Sequence, residues 1–565
     1  MQKKFVTSLG ILLFLNLLIK PFWILVIEPH VQNEVGNAAY GEYFALFNFS
    51  FLLNILLDFG ITNFNNKNIA QNSQLLTKHF SGLFMLKLML AVVYIIATII
   101  VGLIIRYDVR FTKLLLILGF NQFLISLVLY LRSNLQALHL FKTDALLSVL
   151  DRVIMITIVS MMLWTSIFPG RMDVMDFVYA QTVGYFLTAV IAFFSVIGKT
   201  KSFRLKWDWP FSLMILKKSF PFAILVLLMS FYNRIDSVML ERLMPAGDPV
   251  QAERLEALRD PDLKPEMTIA QAREMLAQQQ AKITRGKDSS KVQEARVLAD
   301  PYFSPEANVG EQRIALTKAL EHTGPEQAGY YAKAFRLLDA TNMIAYLFSV
   351  LLLPMFSRML KYNESVEQLV KLAFTLLITV GVVVAVACAF YRNEIMQLLY
   401  GKDYMGQVPL IFPLLMTCFV AISTTYVFGS LLTANGNMRE LNFMALSGMV
   451  INVGLNLFFI RVLHLEAVGT AISSLCTQMV TALAQVLIVQ AKFKFRVNWR
   501  LLTTLFVYVA GVVATASACH DHLRWSDKPA GWLPGFLVLC GVSLGWALAI
   551  RLISIKGMVR IMKYG

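Results

Sequence analysis

Charge is scarce in this chain. Only 15% of its 565 residues are Asp, Glu, Lys or Arg, 57% are apolar, and the mean hydropathy is +0.62. A disordered chain is not so apolar, and an ordinary soluble protein of this length needs charged domain surfaces, so both are excluded. Cysteine is scarce too. The five (Cys388, Cys418, Cys476, Cys519, Cys540) lie in or beside apolar runs without metal-ligand spacing. They read as packing residues rather than a disulfide framework or a metal centre. There is no phosphate-binding loop, which excludes an ATP-driven pump in this chain alone. The seven histidines show no ligand spacing, His520 and His522 being one residue apart, and no nucleophile has a paired base. No enzymatic activity is expected.

What the chain has instead is apolar runs of about 20 residues, the length that crosses a bilayer as a helix. They predict an all-α polytopic membrane protein with about 14 transmembrane helices. The expected spans are 5–28, 40–62, 80–105, 112–133, 147–168, 174–197, 219–243, 329–357, 367–391, 408–434, 441–463, 467–490, 501–519 and 532–554. The expected organisation is an N-terminal six-helix lobe with a cytoplasmic linker (1–218) and a C-terminal six-helix lobe (219–245 and 328–491). A polar insert (246–327) and two additional C-terminal helices (492–565) complete it. AAYGEYFALFN at 38–48 and AGYYAKAFRLL at 328–338 both place small and tyrosine residues ahead of an apolar stretch, as two pseudo-repeated lobes would.

The net charge of +16 is unevenly spread: the insert carries 14 acidic and 11 basic residues, the other 483 residues 40 basic and 21 acidic. A basic membrane domain points to cytoplasmic loops and anionic lipid head groups rather than to nucleic acid. KTKSFRLKWDWP after the sixth span, KFKFRVNWR after the twelfth, and Arg551, Lys556, Arg560 and Lys563 fall on one side with Lys3 and Lys4 when the span count is even. Both termini are therefore expected in the cytoplasm and the insert outside. The first run is long, contains Lys20-Pro21 and lacks a small-x-small cleavage site, so it reads as a retained helix rather than a signal peptide. The insert is rich in Ala, Gln, Glu, Lys and Arg and broken by six prolines. It reads first as a solvated spacer with one or two helices, and second as a docking surface for a periplasmic polymerase or assembly partner.

Several segments together resemble a known family. They are GNAAYGEYFALFNF (36–49) with LLDFG (56–60), NRIDSVML (233–240), YAKAFRLLDATNMIAYLFSVLLLPMFSR (331–358), LYGKDYMGQVPL (399–410), INVGLNLFFI (451–460) and LEAVGTAISSLCTQ (465–478). Their order resembles the polysaccharide and O-antigen oligosaccharide flippases of the multidrug/oligosaccharidyl-lipid/polysaccharide exporter superfamily, over about residues 1–243 and 329–500. The resemblance implies a bacterial cytoplasmic membrane protein that exports a polyprenyl-diphosphate-linked glycan by alternating access. The insert departs from the family, where that connection is short.

Such a substrate joins a pyrophosphate and a polar glycan to an apolar tail. Its head group needs a hydrated, cationic path, because charge is expensive in hydrocarbon. Lys20 lies deep in the first span, beside a proline that frees a backbone carbonyl, and is a substrate-binding candidate. Lys87 in the third span is another, with snorkelling to the head groups as the competing reading. Arg234 and Arg336 suit pyrophosphate, because a planar guanidinium donates two parallel bonds. Arg234 and Asp236 point about 200° apart on the seventh span and do not pair with each other. Arg336 and Asp339 share one face of the eighth span with Lys333, and the cross pairs Arg234 with Asp339 or Asp236 with Arg336 stand open. Coupling to Na+ or H+ falls to Asp236 and Asp339, with Asp58 as a third candidate that otherwise faces cytoplasmic water. Asp151 and Arg152 are expected at the interface, at the start of the fifth span. Asn233, Asn342, Asn452 and Asn456 suit cation ligation, sugar binding or helix linkage. Two rivals remain. A cation-coupled multidrug antiporter of the same superfamily needs an acidic or neutral cavity. A non-transporting scaffold would tolerate loss of Lys20, Arg234 and Arg336.

Overall fold

The structure, a computed structural model, describes residues 14–16, 18–62, 69, 74–105, 107, 109–138, 140–165, 172–200, 209–258, 260, 263–282, 296–401, 406–495, 498–523 and 531–552. Among these the regular structure is helical, apart from one isolated bridge between Thr268 and Asn308. The main helices are α1 (Phe14–Val35), α2 (Asn37–Leu52), α3 (Leu75–Ile104), α4 (Val109–Ala137), α5 (Phe141–Trp164) and α6 (Val174–Ile197). Next come α7 (Trp209–Leu243), α8 (Pro249–Leu258), α9 (Ile269–Lys282), α10 (Val309–Leu320), α11 (Gly324–Lys361) and α12 (Glu367–Phe390). The chain continues through α13 (Arg392–Tyr400), α14 (Val408–Ala434), α15 (Met438–Leu457), α16 (Glu466–Phe493), α17 (Trp499–His522) and α18 (Leu533–Ala549). Lys3, Lys4, most of KTKSFRLKWDWP, part of KFKFRVNWR and the tail with Lys556, Arg560 and Lys563 lie outside the described residues.

Eleven of the fourteen expected spans coincide with helices long and apolar enough to cross a bilayer. The other three differ for local reasons. The run expected at 40–62 is helical only to Leu52, then tightens into a 3-10 turn at Asn54–Leu57, with Phe59 and Gly60 at positive φ (43° and 78°). The run at 329–357 sits inside the 38-residue α11, whose apolar character is interrupted by Lys333, Arg336 and Asp339. The last run forms a helix of 17 residues. Val92, Ile96, Ile100 and Leu103 make an exposed stripe along α3, and Met479, Val480, Leu483 and Leu487 another along α16. Apolar stripes at helical spacing that no protein covers face lipid, so this is a multi-pass membrane protein.

Two compact units form, one from residues 1–217 with 237–332, the other from 218–236 with 333–565. Thus α7 and α11 each contribute to both. In the first unit the two echoed segments meet. A Cβ on Gly41 would come within 1.9 Å of the Pro325 carbonyl oxygen, and one on Gly329 within 2.2 Å of the Asn37 oxygen. Asn37 Nδ2 also donates to Glu326 Oε1 at 2.8 Å. Glycine is what permits this backbone approach between α2 and α11. In the second unit α17 and α18 pack on α12 through Ile378, Val382, Tyr508, Val512, Leu539 and Ala547.

The insert is not a solvated spacer. It has its own core, built on Leu258, Leu263, Ile269, Leu276, Leu298, Phe303, Val309, Leu316 and Leu320. Its sequence explains why: residues 258–276 recur at 298–316, an offset of 40, with Leu, Asp, Pro, Pro, Glu, Arg and Leu identical. The hydrogen bonds repeat with the same offset. Ile269 N donates to Ala307 O and Val309 N to Met267 O, both at 2.9 Å. Ala270 N donates to Pro305 O and Gly310 N to Pro265 O, both at 3.0 Å. The duplicated arginine staples the opposite copy: Arg273 Nε donates to Leu298 O at 2.6 Å, and Arg313 Nε to Leu258 O at 3.1 Å. Thr268 and Asn308 bond the first turns of α9 and α10 from equivalent positions. Pro261 and Pro265 recur as Pro301 and Pro305, so four of the six prolines carry the register of the repeat.

Candidate functional site

Among the described residues, the ionisable candidates fall into four groups. The first lies in the second unit, where α7 faces α11. Arg234 forms a two-pronged pair with Asp339, Nη1 to Oδ2 at 3.1 Å and Nη2 to Oδ1 at 3.3 Å. Arg336 Nη1 approaches the same carboxylate at 4.0 Å. Of the two cross pairs left open by helical spacing, the structure takes Arg234 with Asp339. Phe335 lies under the Arg234 guanidinium at 5.2 Å, and Lys333 lies over the Tyr400 ring at 5.0 Å. Two guanidinium groups thus meet one carboxylate. The Arg234 and Asp339 side chains are each 20% exposed, open enough to exchange partners.

Asp236 points the other way, as a two-residue offset requires. It is buried among neutral donors: Asn452 Nδ2 at 3.0 Å, Asn456 Nδ2 at 2.7 Å and the Ser474 hydroxyl. Asn456 also bonds Asn452 Oδ1 at 3.2 Å, and Gln478 Nε2 bonds Asn233 Oδ1 at 2.7 Å. The i, i+4 spacing of Asn452 and Asn456 sets both amides on one face of α15, while α16 supplies Ser474 and Gln478. The carboxylate accepts from amide N–H and hydroxyl donors; a rotated amide would present its oxygen instead, a set chemically suited to a hard monovalent cation.

The other two clusters are in the first unit. Lys20 lies in the electrostatic neighbourhood of Arg152, Asp151 and Arg132. Arg152 stacks over Trp23 at 5.5 Å and Tyr185 at 5.8 Å, while Arg132 Nε bonds Asp144 Oδ1 at 2.8 Å. Just after Pro21, the five residues Trp23–Ile27 run as a π-helix. Asp151 and Arg152 are not at the start of their span. They lie near the middle of α5, which begins at Phe141. Arg132 was not singled out from the sequence, though it too interrupts an apolar run.

Lys87 and Asp58 correct their sequence readings together. Lys87 does not snorkel and Asp58 does not simply face water. The Lys87 side chain is 1% exposed and is ion-paired with Asp58. Lys87 Nζ also donates to the Leu57 carbonyl at 3.0 Å and to Ser126 Oγ at 2.9 Å. Asp58 lies in the turn after Leu57 and Lys87 in α3, so no sequence spacing announces the pair.

Comparison with known proteins follows this geometry. Residues 6–252 match the polysaccharide biosynthesis protein family. The chain is similar to a solved lipid II flippase MurJ in an inward closed conformation, at 13% identity and a TM-score of 0.60, covering 96% of this chain and 98% of that one. It is also similar to an inward-facing multidrug resistance MATE family transporter of the MOP superfamily, at 13% identity and a TM-score of 0.48, covering 86% and 98%. No curated protein sequence matches. The fold is thus similar to that of the solved lipid II flippase. The family matched, polysaccharide biosynthesis, agrees with the resemblance read from the sequence.

Proposed function

We propose that this protein flips a polyprenyl-diphosphate-linked oligosaccharide across a bacterial cytoplasmic membrane by alternating access, for cell-surface polysaccharide export. The observation that carries this reading is the convergence of Arg234 and Arg336 on the single carboxylate of Asp339. A diphosphate entering there trades the Asp339 pairing for its own oxygens, and the forked guanidinium geometry suits both partners. Lys20, with Arg132 and Arg152 nearby, offers a second cationic station for the head group. The polyprenyl tail stays in lipid throughout. Asp339 holds the arginines in place when substrate is absent, which separates it from Asp236 as an ion site.

Asp236 with Asn452, Asn456 and Ser474 serves as the site for a coupling Na+ or H+ in this scheme. Both termini lie in the cytoplasm and the folded insert lies outside, where a polymerase or assembly protein would meet it. The test is reconstitution into liposomes with a fluorescent polyprenyl-diphosphate oligosaccharide, scored by its accessibility in each leaflet. Flipping by the native protein, and its loss in Arg234→Ala and Arg336→Ala, is the expected result. Transport of cationic drugs with no movement of the lipid-linked glycan would establish the antiporter instead. Normal glycan export in cells carrying both substitutions would favour the scaffold.

A further inference from the structure

The expected second span breaks at a defined place, and Lys87 fills the break. After α2 ends, the 3-10 turn and the positive φ of Phe59 and Gly60 take the backbone out of α-helical register. Carbonyl groups released by such a break must find donors, because hydrocarbon supplies none. The Leu57 carbonyl finds Lys87 Nζ at 3.0 Å. The same ammonium contacts the Asp58 carboxylate and Ser126 Oγ, and Ser126 Oγ itself reaches Leu57 O at 3.3 Å. Thr62 fixes the carboxylate through its backbone N–H and its hydroxyl, and the Tyr130 ring lies 5.9 Å from the ammonium.

Ignoring the lysine's carbon chain, this is a cation site. It has a backbone carbonyl, a carboxylate and a hydroxyl converging on one point, beside an aromatic face, at a helix break. Broken transporter helices hold Na+ with this donor set. We infer that Lys87 is a tethered cation in a monovalent-cation site, so that the first unit carries its own counter-ion where a diffusible one would otherwise bind. The same donors would accept Na+ or K+ once the ammonium is gone. The inference does not rest on the glycan as substrate. It makes the first unit independent of external ions at this position and leaves ion coupling to the second unit.

The test uses purified full-length protein and thermal unfolding in NaCl, KCl or choline chloride at constant ionic strength. Asp236→Asn serves as the background in every variant, so that an ion bound at Asp236 does not contribute. In that background, Lys87→Ala and Lys87→Gln should gain a Tm rise of roughly 3 °C or more in NaCl or KCl over choline chloride. Protein with Lys87 intact should show no such difference. Adding Asp58→Asn to either variant should abolish the gain. Equal Tm in all three salts would overturn the inference and leave a structural ion pair. If neither single variant folds in any salt while Asp58→Asn/Lys87→Gln does, the site refuses a free cation and the inference also fails.

Discussion

Asp58 sits in a helix break and Asp339 within a long helix; both are carboxylates that meet a cation, yet their surroundings differ. Asp58 meets one lysine that is 1% exposed and that also plugs a backbone carbonyl. Asp339 meets two arginines at 3.1 and 4.0 Å, and Arg234 remains 20% exposed. In the first arrangement the cation is buried while its carboxylate is 26% exposed; in the second both partners are 20% exposed. A pair with a buried member is costly to break and gives little net stability when made, so it suits a lock. A pair in which both members are partly open suits exchange of partners.

The comparison breaks most sharply at Asp58. Asp58→Ala strands a buried ammonium and should destabilise the protein by about 3–5 kcal/mol. Thermal unfolding in detergent checks this, and a loss under about 1 kcal/mol would mean that water already reaches Lys87. Arg234→Ala should behave in the opposite way. Flipping should fall about tenfold or more, the scale of a lost charge-assisted contact, with little change in Tm. The liposome assay and the unfolding curve, run on one preparation, separate the two effects.

Asp236→Asn tests the third kind of surrounding, a carboxylate among neutral donors. It should abolish any dependence of flipping on an imposed Na+ or proton gradient while lowering stability by about 1–2 kcal/mol, since one amide now faces others. Outside the spans the effects are smaller and local. Arg273→Ala leaves Leu298 O, Asp300 O and Phe303 O short of a donor. It should loosen the insert by about 1–3 kcal/mol, read as faster proteolysis there with the spans intact. The smallest effect concerns Asp300, whose carboxyl is held below its ordinary 3.8 by the Tyr302 backbone N–H and the Arg254 guanidinium. A depressed carboxyl pKa stabilises above the ordinary value and that help fades as pH falls. The insert's protease resistance should therefore decline slightly below about pH 4, and Asp300→Asn should remove that slope.

Much of the fold was legible because its signals are local. Eleven apolar runs became the helices they announced, since run length against bilayer thickness is a one-dimensional criterion. The opposite facing of Arg234 and Asp236 followed from helical geometry alone. What stayed hidden needed a third dimension. The break after Leu52 falls inside a run apolar enough to continue, and side chains from other helices, Lys87 and Ser126 among them, satisfy it. The duplication in the insert was present in the letters, but charge counting masked it, and its meaning appears only when Arg273 and Arg313 reach across to the opposite copy.

The sequence by itself determined that this chain crosses a membrane many times, where eleven of the helices long and apolar enough to do so lie, and which cations interrupt apolar runs. Composition and periodicity decide those things because each helix satisfies its own backbone and needs only an apolar length. Tertiary structure alone decided which charge answers which. Asp339 has two arginines, Asp58 a lysine and Asp236 two amides and a hydroxyl, because partners on separate helices are chosen by packing and not by spacing along the chain.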